Sequence, residues 1–233
     1  MAGMTFDTRH FGEELASLKR RMLEMGTLAE DKVRLAMRAL VQRDQNLIAE
    51  IAAGDAAINQ FHLEIDDRCF KLLALHQPMA VDLRVVVAIV KINGDLERIG
   101  DLAVNIAEAS ARYITHPPVK PLIDLPRMGE IALRMLKRSL DAFVSGDVSE
   151  AQAVLAEDDT LDSLKSQIFR ELLTYMLGDP KKIEPSIDLI LISRHLERVG
   201  DHATNIAEDV IFMVSARDVR HHASGASADR ALD

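Results

Sequence analysis

Tryptophan is absent from this 233-residue chain, and aromatic residues make up only 4% of it. A single cysteine, Cys69, stands at an apolar helical position. One thiol can build neither an intrachain disulfide nor a cysteine zinc site, so a buried, reduced side chain is expected. No Gly-Lys dipeptide occurs, which removes the Walker type of phosphate loop. No Glu-x-x-His occurs either, and that pairing is how carboxylate-bridged di-iron bundles hold their metals. Basic charge is in deficit: 28 Lys and Arg stand against 37 Asp and Glu, for a formal net charge of −9. Nucleic acid is therefore not an expected partner, since binding it depends on neutralising phosphates. The most apolar runs, Val85–Val90 and Ile187–Ile192, fall well short of the about 20 residues that span a bilayer. The N-terminal MAGMTFDTRHF lacks the basic-then-apolar layout of a signal peptide. The expectation is a cytoplasmic protein with no membrane insertion.

What the chain does have is 48% hydrophobic residues, concentrated in Ala, Leu, Ile and Met. Strong helix formers outweigh β-branched and aromatic residues, which points to an all-α protein. Periodicity and punctuation place six long helices. The first covers roughly 7–43. The second starts at Asp55, an N-cap after Gly54, and ends near His76 before Pro78. The third runs from about Val81 to Tyr113. A linker, THPPVKPLIDLP, follows with four prolines (Pro117, Pro118, Pro121 and Pro126) that are expected to stop any helix. The fourth helix runs from about Arg127 to Ser145 and stops at Gly146. Asp147 with Glu150 forms a capping box for the fifth, which lasts to Leu177. Pro185 opens the sixth, which ends near Val214. The expected organisation is two tandem three-helix bundles, 5–115 and 126–215, a proline-rich linker at 116–125, and a small, polar, disordered tail at 216–233.

The halves are related. Residues 96–108 read LERIGDLAVNIAE and residues 196–208 read LERVGDHATNIAE, identical at ten of thirteen positions at an offset of 100. The preceding helices match at offset 103 only at Asp55/Asp158 and Ile65/Ile168. The first and fourth share Met25/Met128, Gly26/Gly129, Ala39/Ala142 and Asp44/Asp147 at the same offset. Two copies of one unit have drifted almost everywhere except on one segment, and that segment carries carboxylates.

With about 100° of rotation per residue, Glu97, Asp101, Asn105 and Glu108 share one stripe of a helix. Ile92, Leu96, Ile99, Ala103 and Ile106 lie opposite, as the core-facing stripe. Gly100, Ala103 and Ala107 offer a flank where a neighbouring helix can come close. The second copy repeats the plan with Glu197, Asp201, Asn205 and Glu208. Like charges at i,i+4 repel, so a retained stripe of them calls for a compensating cation. Folding each hairpin about its turn, near Met79–Ala80 and Lys181–Lys182, sets Asp101 and Asn105 against Asp55 and Asn59. It sets Asp201 against Asp162 and Asn205 against Asp158. Each half then offers a four-cornered oxygen cage suited to Mg²⁺, Mn²⁺ or iron rather than to Zn²⁺ or copper. A plain solvated acidic face is the competing reading. Glu108 and Glu208, almost two turns away, are lesser candidates. Arg98 and Arg198 read as ion-pair anchors to a neighbouring helix or as partner contacts. His195 and His202, which replace Asp95 and Leu102 of the first copy, read as incidental, and His221 and His222 as solvated.

These residues resemble the PhoU family, the accessory regulators of phosphate-specific transport. The likeness rests on the paired ER[IV]GD-x-A-x-NIAE segments, on MGTLAEDKV at 25–33, on the HQPMAVDLR turn at 76–84 and on RELLTYML at 170–177. It spans about residues 10–222. The resemblance implies a non-enzymatic negative regulator, typically dimeric, that damps uptake through the cytoplasmic subunits of a phosphate ABC transporter. It also implies a part in holding off the starvation response through a phosphate-sensing membrane histidine kinase. Some members bind metal through E(D)xxxD pairs, here Glu97 with Asp101 and Glu197 with Asp201. Asn59 stands where the second half has Asp162, which makes the first site less anionic and implies unequal occupancy. A helical scaffold or metal store without a signalling role is the alternative.

Overall fold

The structure, a computed structural model, describes residues 3–53, 55–217 and 219. Seven α-helices and one 3-10 turn make up the described residues: α1 (Gly3–Gln42), α2 (Gln45–Ala53), α3 (Asp55–His76), α4 (Ala80–Tyr113), α5 (Asp124–Ser145), α6 (Val148–Gly178), the turn Pro180–Lys182 and α7 (Ile183–Ser215). The all-α reading holds among the described residues, where α2 and α3 are divided only at Gly54, which lies outside them. The expected tail, with His221 and His222, lies almost wholly outside the described residues.

Local chemistry sets several boundaries. Asp147 caps α6, its Oδ1 accepting from the backbone N–H of Ser149 at 2.8 Å and of Glu150 at 3.2 Å. Gly146 ends α5 in the left-handed region at φ 67°, where a side chain would be strained. The linker prolines do not all lie outside a helix. Pro126 falls in the first turn of α5, which begins at Asp124, and Pro185 falls in that of α7. Their missing N–H groups are ones the first turn leaves unbonded in any case. The α2 helix was not expected at all. Its start is marked by Asp44, whose Oδ1 accepts from the Asn46 N–H at 2.8 Å, and Asp44 is the repeat counterpart of Asp147. Together α2 and α3 thus correspond to the single helix α6.

Each half folds as three antiparallel helices, and the halves share one apolar core. The seam between them is made by α4 against α7 and α1 against α5. Contacts across α4/α7 run in reversed order: Arg84 reaches the Met213 carbonyl, Lys91 reaches Asp209, Asp95 reaches His202, and Arg112 reaches Asp188. The two helices are therefore antiparallel and pass each other near the level of Gly100 and Gly200. A Cβ on Gly26 would meet Leu140, and one on Gly129 would meet Met37, so α1 and α5 cross in the same repeat-related way. Two aspartates buried in the seam keep basic partners there: Asp188 with Arg112 at 2.9 Å and Asp209 with Lys91 at 2.8 Å. The stripe expected to face the core, Ile92, Leu96, Ile99, Ala103 and Ile106, is fully buried. Cys69 is buried too, and burial pushes its thiol up to about 12, so it stays protonated and inert.

Candidate metal centre

In each half, one close helix approach places the repeated acids. A Cβ on Gly200 would lie 2.3 Å from Leu161 Cδ2 and 3.7 Å from Asp158 Oδ1. A Cβ on Gly100 would lie 2.8 Å from Ile58 Cδ1. Ile58 and Leu161 are repeat counterparts at offset 103, so α3 meets α4 as α6 meets α7. A glycine in the middle of a helix is costly, and here it lets the backbone bearing the acids lie against its neighbour.

In the second half this approach brings Asp158 within electrostatic reach of acids on both α6 and α7. Partial withdrawal from water raises the Asp158 carboxyl to about 6, helped by the negative charges of Asp201, Asp162, Asp159 and Glu197. Asp201 is raised for the same first reason, and then by Glu197 and Asp162. Repulsion between gathered acids has a partial answer within the chain. The Lys165 ammonium donates to Asp162 Oδ1 at 2.8 Å and to Glu197 Oε1 at 2.7 Å, and both bonds raise its pKa. Lys165 was not anticipated from the sequence, because its first-half counterpart is His62.

The first half is put together differently. Asn59 is exposed, Asn105 is half-buried, and the Asp55 side chain lies outside what the structure describes. Arg98 stays on its own helix, 3.6 Å from Glu97 and 3.5 Å from Asp101, rather than anchoring a neighbouring one. Arg198 is exposed and lies close enough to His195 to help lower that imidazole's pKa, after burial and together with Arg194 and Arg112.

Two expectations need correction. Asn205 does not face Asp158; its Nδ2 donates to Asp95 Oδ1 on α4 at 3.3 Å. His202 is not incidental, since its Nδ1 lies 2.8 Å from the same Asp95 oxygen. Both side chains lean across the seam between halves. Among the described residues, no three His, Cys, Asp or Glu side chains stand close enough to hold an ion in their present positions. What the second half offers is a hard, anionic oxygen set with an ammonium lodged in it. The chemistry suits a hard cation, for which Asp158, Asp162, Glu197 and Asp201 would be the ligands.

The raised carboxyl gives a signed expectation. The folded protein holds the Asp158 proton up to about 6, whereas 3.8 is its ordinary value, so the folded state binds more protons between those limits. Ionised Asp158 therefore detracts from stability, fully above about pH 6 and not at all below about pH 4. Asp158→Asn should raise the melting midpoint of chelator-treated protein by about 2–4 °C at neutral to alkaline pH, taking about 1 kcal/mol for relieved repulsion. That gain should fade as the pH drops through about 6 towards 4. Thermal melts of both proteins across that range check it, and a gain independent of pH would contradict it.

Comparison with known proteins bears on the whole chain. The profile of the PhoU domain matches twice, at residues 22–110 and 125–210. A phosphate-specific transport system accessory protein PhoU homolog from Caulobacter vibrioides is 41% identical over 212 residues, covering 91% of this chain and 92% of that protein. Its counterpart in Aquifex aeolicus is 38% identical over 209 residues, covering 90% and 95%. The crystal structure of PhoU from Pseudomonas aeruginosa superposes with a TM-score of 0.86 at 37% identity, covering 89% of this chain and all of that one. That of the phosphate transport system regulatory protein PhoU from Streptococcus pneumoniae does so at 0.83 and 30%, covering 90% and 99%.

Proposed function

Because the chain belongs to the PhoU domain family, we propose that it is an accessory regulator of phosphate-specific transport that restrains phosphate uptake and keeps the starvation response off when phosphate is plentiful. It acts as a cytoplasmic, non-enzymatic homodimer on the cytoplasmic subunits of a phosphate ABC transporter and on a phosphate-sensing histidine kinase. Its repeats, 5–115 and 126–215 about the 116–125 linker, each present an acidic cluster. Among the described residues, no helix is long and apolar enough to cross a membrane, which agrees with a regulator that docks on a transporter rather than forming part of it.

The observation that carries this reading is the near end-to-end match to accessory proteins of phosphate transport, both repeats included. The test is deletion of the gene in a strain carrying a phosphate-starvation reporter, grown in phosphate-rich medium. The reporter should switch on, and a silent reporter would overturn the negative-regulator reading.

Metal binding is the second part of the proposal. Asp158, Asp162, Glu197 and Asp201 would hold a hard cation such as Mg²⁺, Mn²⁺ or iron, and Glu97 with Asp101 would form a less anionic counterpart. The burial that raises Asp158, with the acidic neighbours that add to it, supports it. A bound cation would neutralise the clustered carboxylates and stiffen α6 against α7. The same cluster also favours the metal-store reading. Alanine at Asp101 and Asp201 separates the two, since a metal-dependent regulator loses signalling along with its metal and a store does not.

A further inference from the structure

The α6/α7 hairpin carries an apolar stripe that none of the described residues covers. Phe169, Leu173 and Leu177 recur every fourth residue along α6, while Ile183, Ile187 and Ile190 follow the facing side of α7. All but Ile190, which is half-buried, are between 41% and 81% exposed. Phe169 and Ile190 line an open groove of about 440 Å³ together with Arg170, Arg194, Lys165 and Glu197. Both arginines are exposed, and Lys181 is exposed at the hairpin turn. These cations surround an apolar trough in a chain whose net charge is −9.

The first half provides an internal comparison. At the repeat offsets, Leu173, Ile183, Ile187 and Ile190 become Phe70, Leu83, Val87 and Val90, so the apolar character persists. The rim does not persist: Arg170 becomes Asp67, Arg194 becomes Gly94, and Phe169 becomes Asp66. Arginines at these two places are a feature of the second repeat, whereas the first carries its bases elsewhere, at Lys71 and Arg84. A concave seat between two antiparallel helices fits a third helix, whose apolar anchors at i, i+3, i+4 and i+7 fill the trough while acidic flanks meet the arginines.

We propose that the α6/α7 groove is a docking site for an acidic amphipathic helix of a partner protein, and that the α3/α4 hairpin, with Asp67 and Gly94 in place of Arg170 and Arg194, is not. The proposal rests on reading the chain as a regulator that works by docking, and it assigns that docking to one repeat.

The probe is a fluorescein-labelled helical peptide about three turns long, with Leu and Phe at heptad positions and Glu elsewhere. A second peptide has the same apolar residues and Lys in place of Glu. Anisotropy titrations on the full chain should show the acidic peptide binding at least about tenfold tighter than the basic one, and losing that advantage with added salt. Arg170→Glu with Arg194→Glu should abolish or reverse the preference, whereas Phe70→Ser in the other repeat should leave it unchanged. Circular dichroism melts confirm that each variant is folded, and Arg170→Gln with Arg194→Gln offers a milder pair if the charge reversals misfold. Three results overturn the proposal: equal binding of both peptides, insensitivity to the arginine variants, or retention on phosphatidylglycerol vesicles with the same arginine dependence. Sedimentation in which the arginine variants turn a dimer into monomers would overturn it as well, by showing that a second copy fills the groove. A silent starvation reporter beside intact peptide preference would count against the regulatory reading alone.

Discussion

Gly200→Val is expected to destabilise the protein by about 3 kcal/mol, read as a melting midpoint lower by about 6–12 °C. Even the first carbon of the new side chain would fall 2.3 Å from Leu161 Cδ2 and 3.6 Å from Met135 Cε. Leu161 and Met135 are both fully buried, so neither retreats without disturbing the core, and a β-branched residue adds atoms in two more directions. The response left to the protein is to move α6 away from α7. That movement separates Asp158, which lies 3.7 Å from the same point, from Asp201, so the acidic cluster should loosen as stability falls. Gly100→Val repeats the experiment in the first half, where Ile58 Cδ1 lies 2.8 Å away; the expected loss is smaller because the contact is less severe. Gly94→Ala is the matched control. Nothing lies within 4 Å of its would-be Cβ, so it should stabilise α4 by about 0.5–1 kcal/mol through restricted backbone freedom. Chemical and thermal unfolding of the three variants should rank them Gly200→Val, Gly100→Val, wild type, Gly94→Ala in rising stability. A Gly200→Val protein as stable as wild type would mean that the close helix approach on which the site depends is not made in solution.

Comparing the two copies made visible whatever both had kept. The core stripe, the two glycines and the stripe of acids are symmetric features, and in the second half burial and acidic neighbours on α6 and α7 raise Asp158. The same comparison conceals whatever belongs to one copy. Lys165 stands opposite His62, His202 opposite Leu102, and Asp95 opposite His195. The ammonium within the acidic cluster and the His202–Asp95 contact across the seam therefore left no trace in the repeat. A tandem fold whose halves pack face to face needs contacts with no symmetric counterpart, because a residue on α4 meets its own equivalent only near Gly100 and Gly200. The sequence predicts no helix over 45–53 for a local reason: Gly54 reads as a break, and the stretch before it reads as a loop. In the second copy Glu157 stands at the place of Gly54, so the sequence carries no such punctuation within α6. The expected linker around Lys120 is ordered by a buried ammonium paired with Glu171 of α6 and Asp124 of α5. An isolated lysine among prolines does not reveal that in sequence.

Lys165→Gln is expected to tighten cation binding at the second-half cluster by at least about tenfold, or about 1.4 kcal/mol, while weakening the metal-free protein. Lys165 is held by Asp162 and Glu197 at 2.8 and 2.7 Å, and those bonds raise its pKa, so it remains a full positive charge at any pH where the protein is used. A divalent ion entering the cluster has to displace that ammonium from two carboxylates and then lie near it. Two like charges a few ångströms apart repel by several kcal/mol at the dielectric typical of a protein surface, so even partial relief exceeds the stated tenfold. Glutamine keeps most of the length and removes the charge. Without metal, the part-exposed pairs it eliminates are worth about 0.2–1 kcal/mol, and the melting midpoint should drop slightly. With excess Mn²⁺ the order should reverse, because an ion bound only by the folded state stabilises it by mass action and the tighter site gains more. Asp158→Asn with Asp201→Asn should do the opposite, melting higher without metal and losing the response to Mn²⁺. Arg98→Gln is the first-half counterpart, and its effect should be smaller because Arg98 is largely exposed and 3.5–3.6 Å from its acids. Calorimetric titration of Mn²⁺ into chelator-treated proteins measures all four. If Lys165→Gln binds Mn²⁺ more weakly than wild type, the ammonium organises the ligands instead of competing with the ion, and the cluster is a salt-bridged structural element rather than a metal centre.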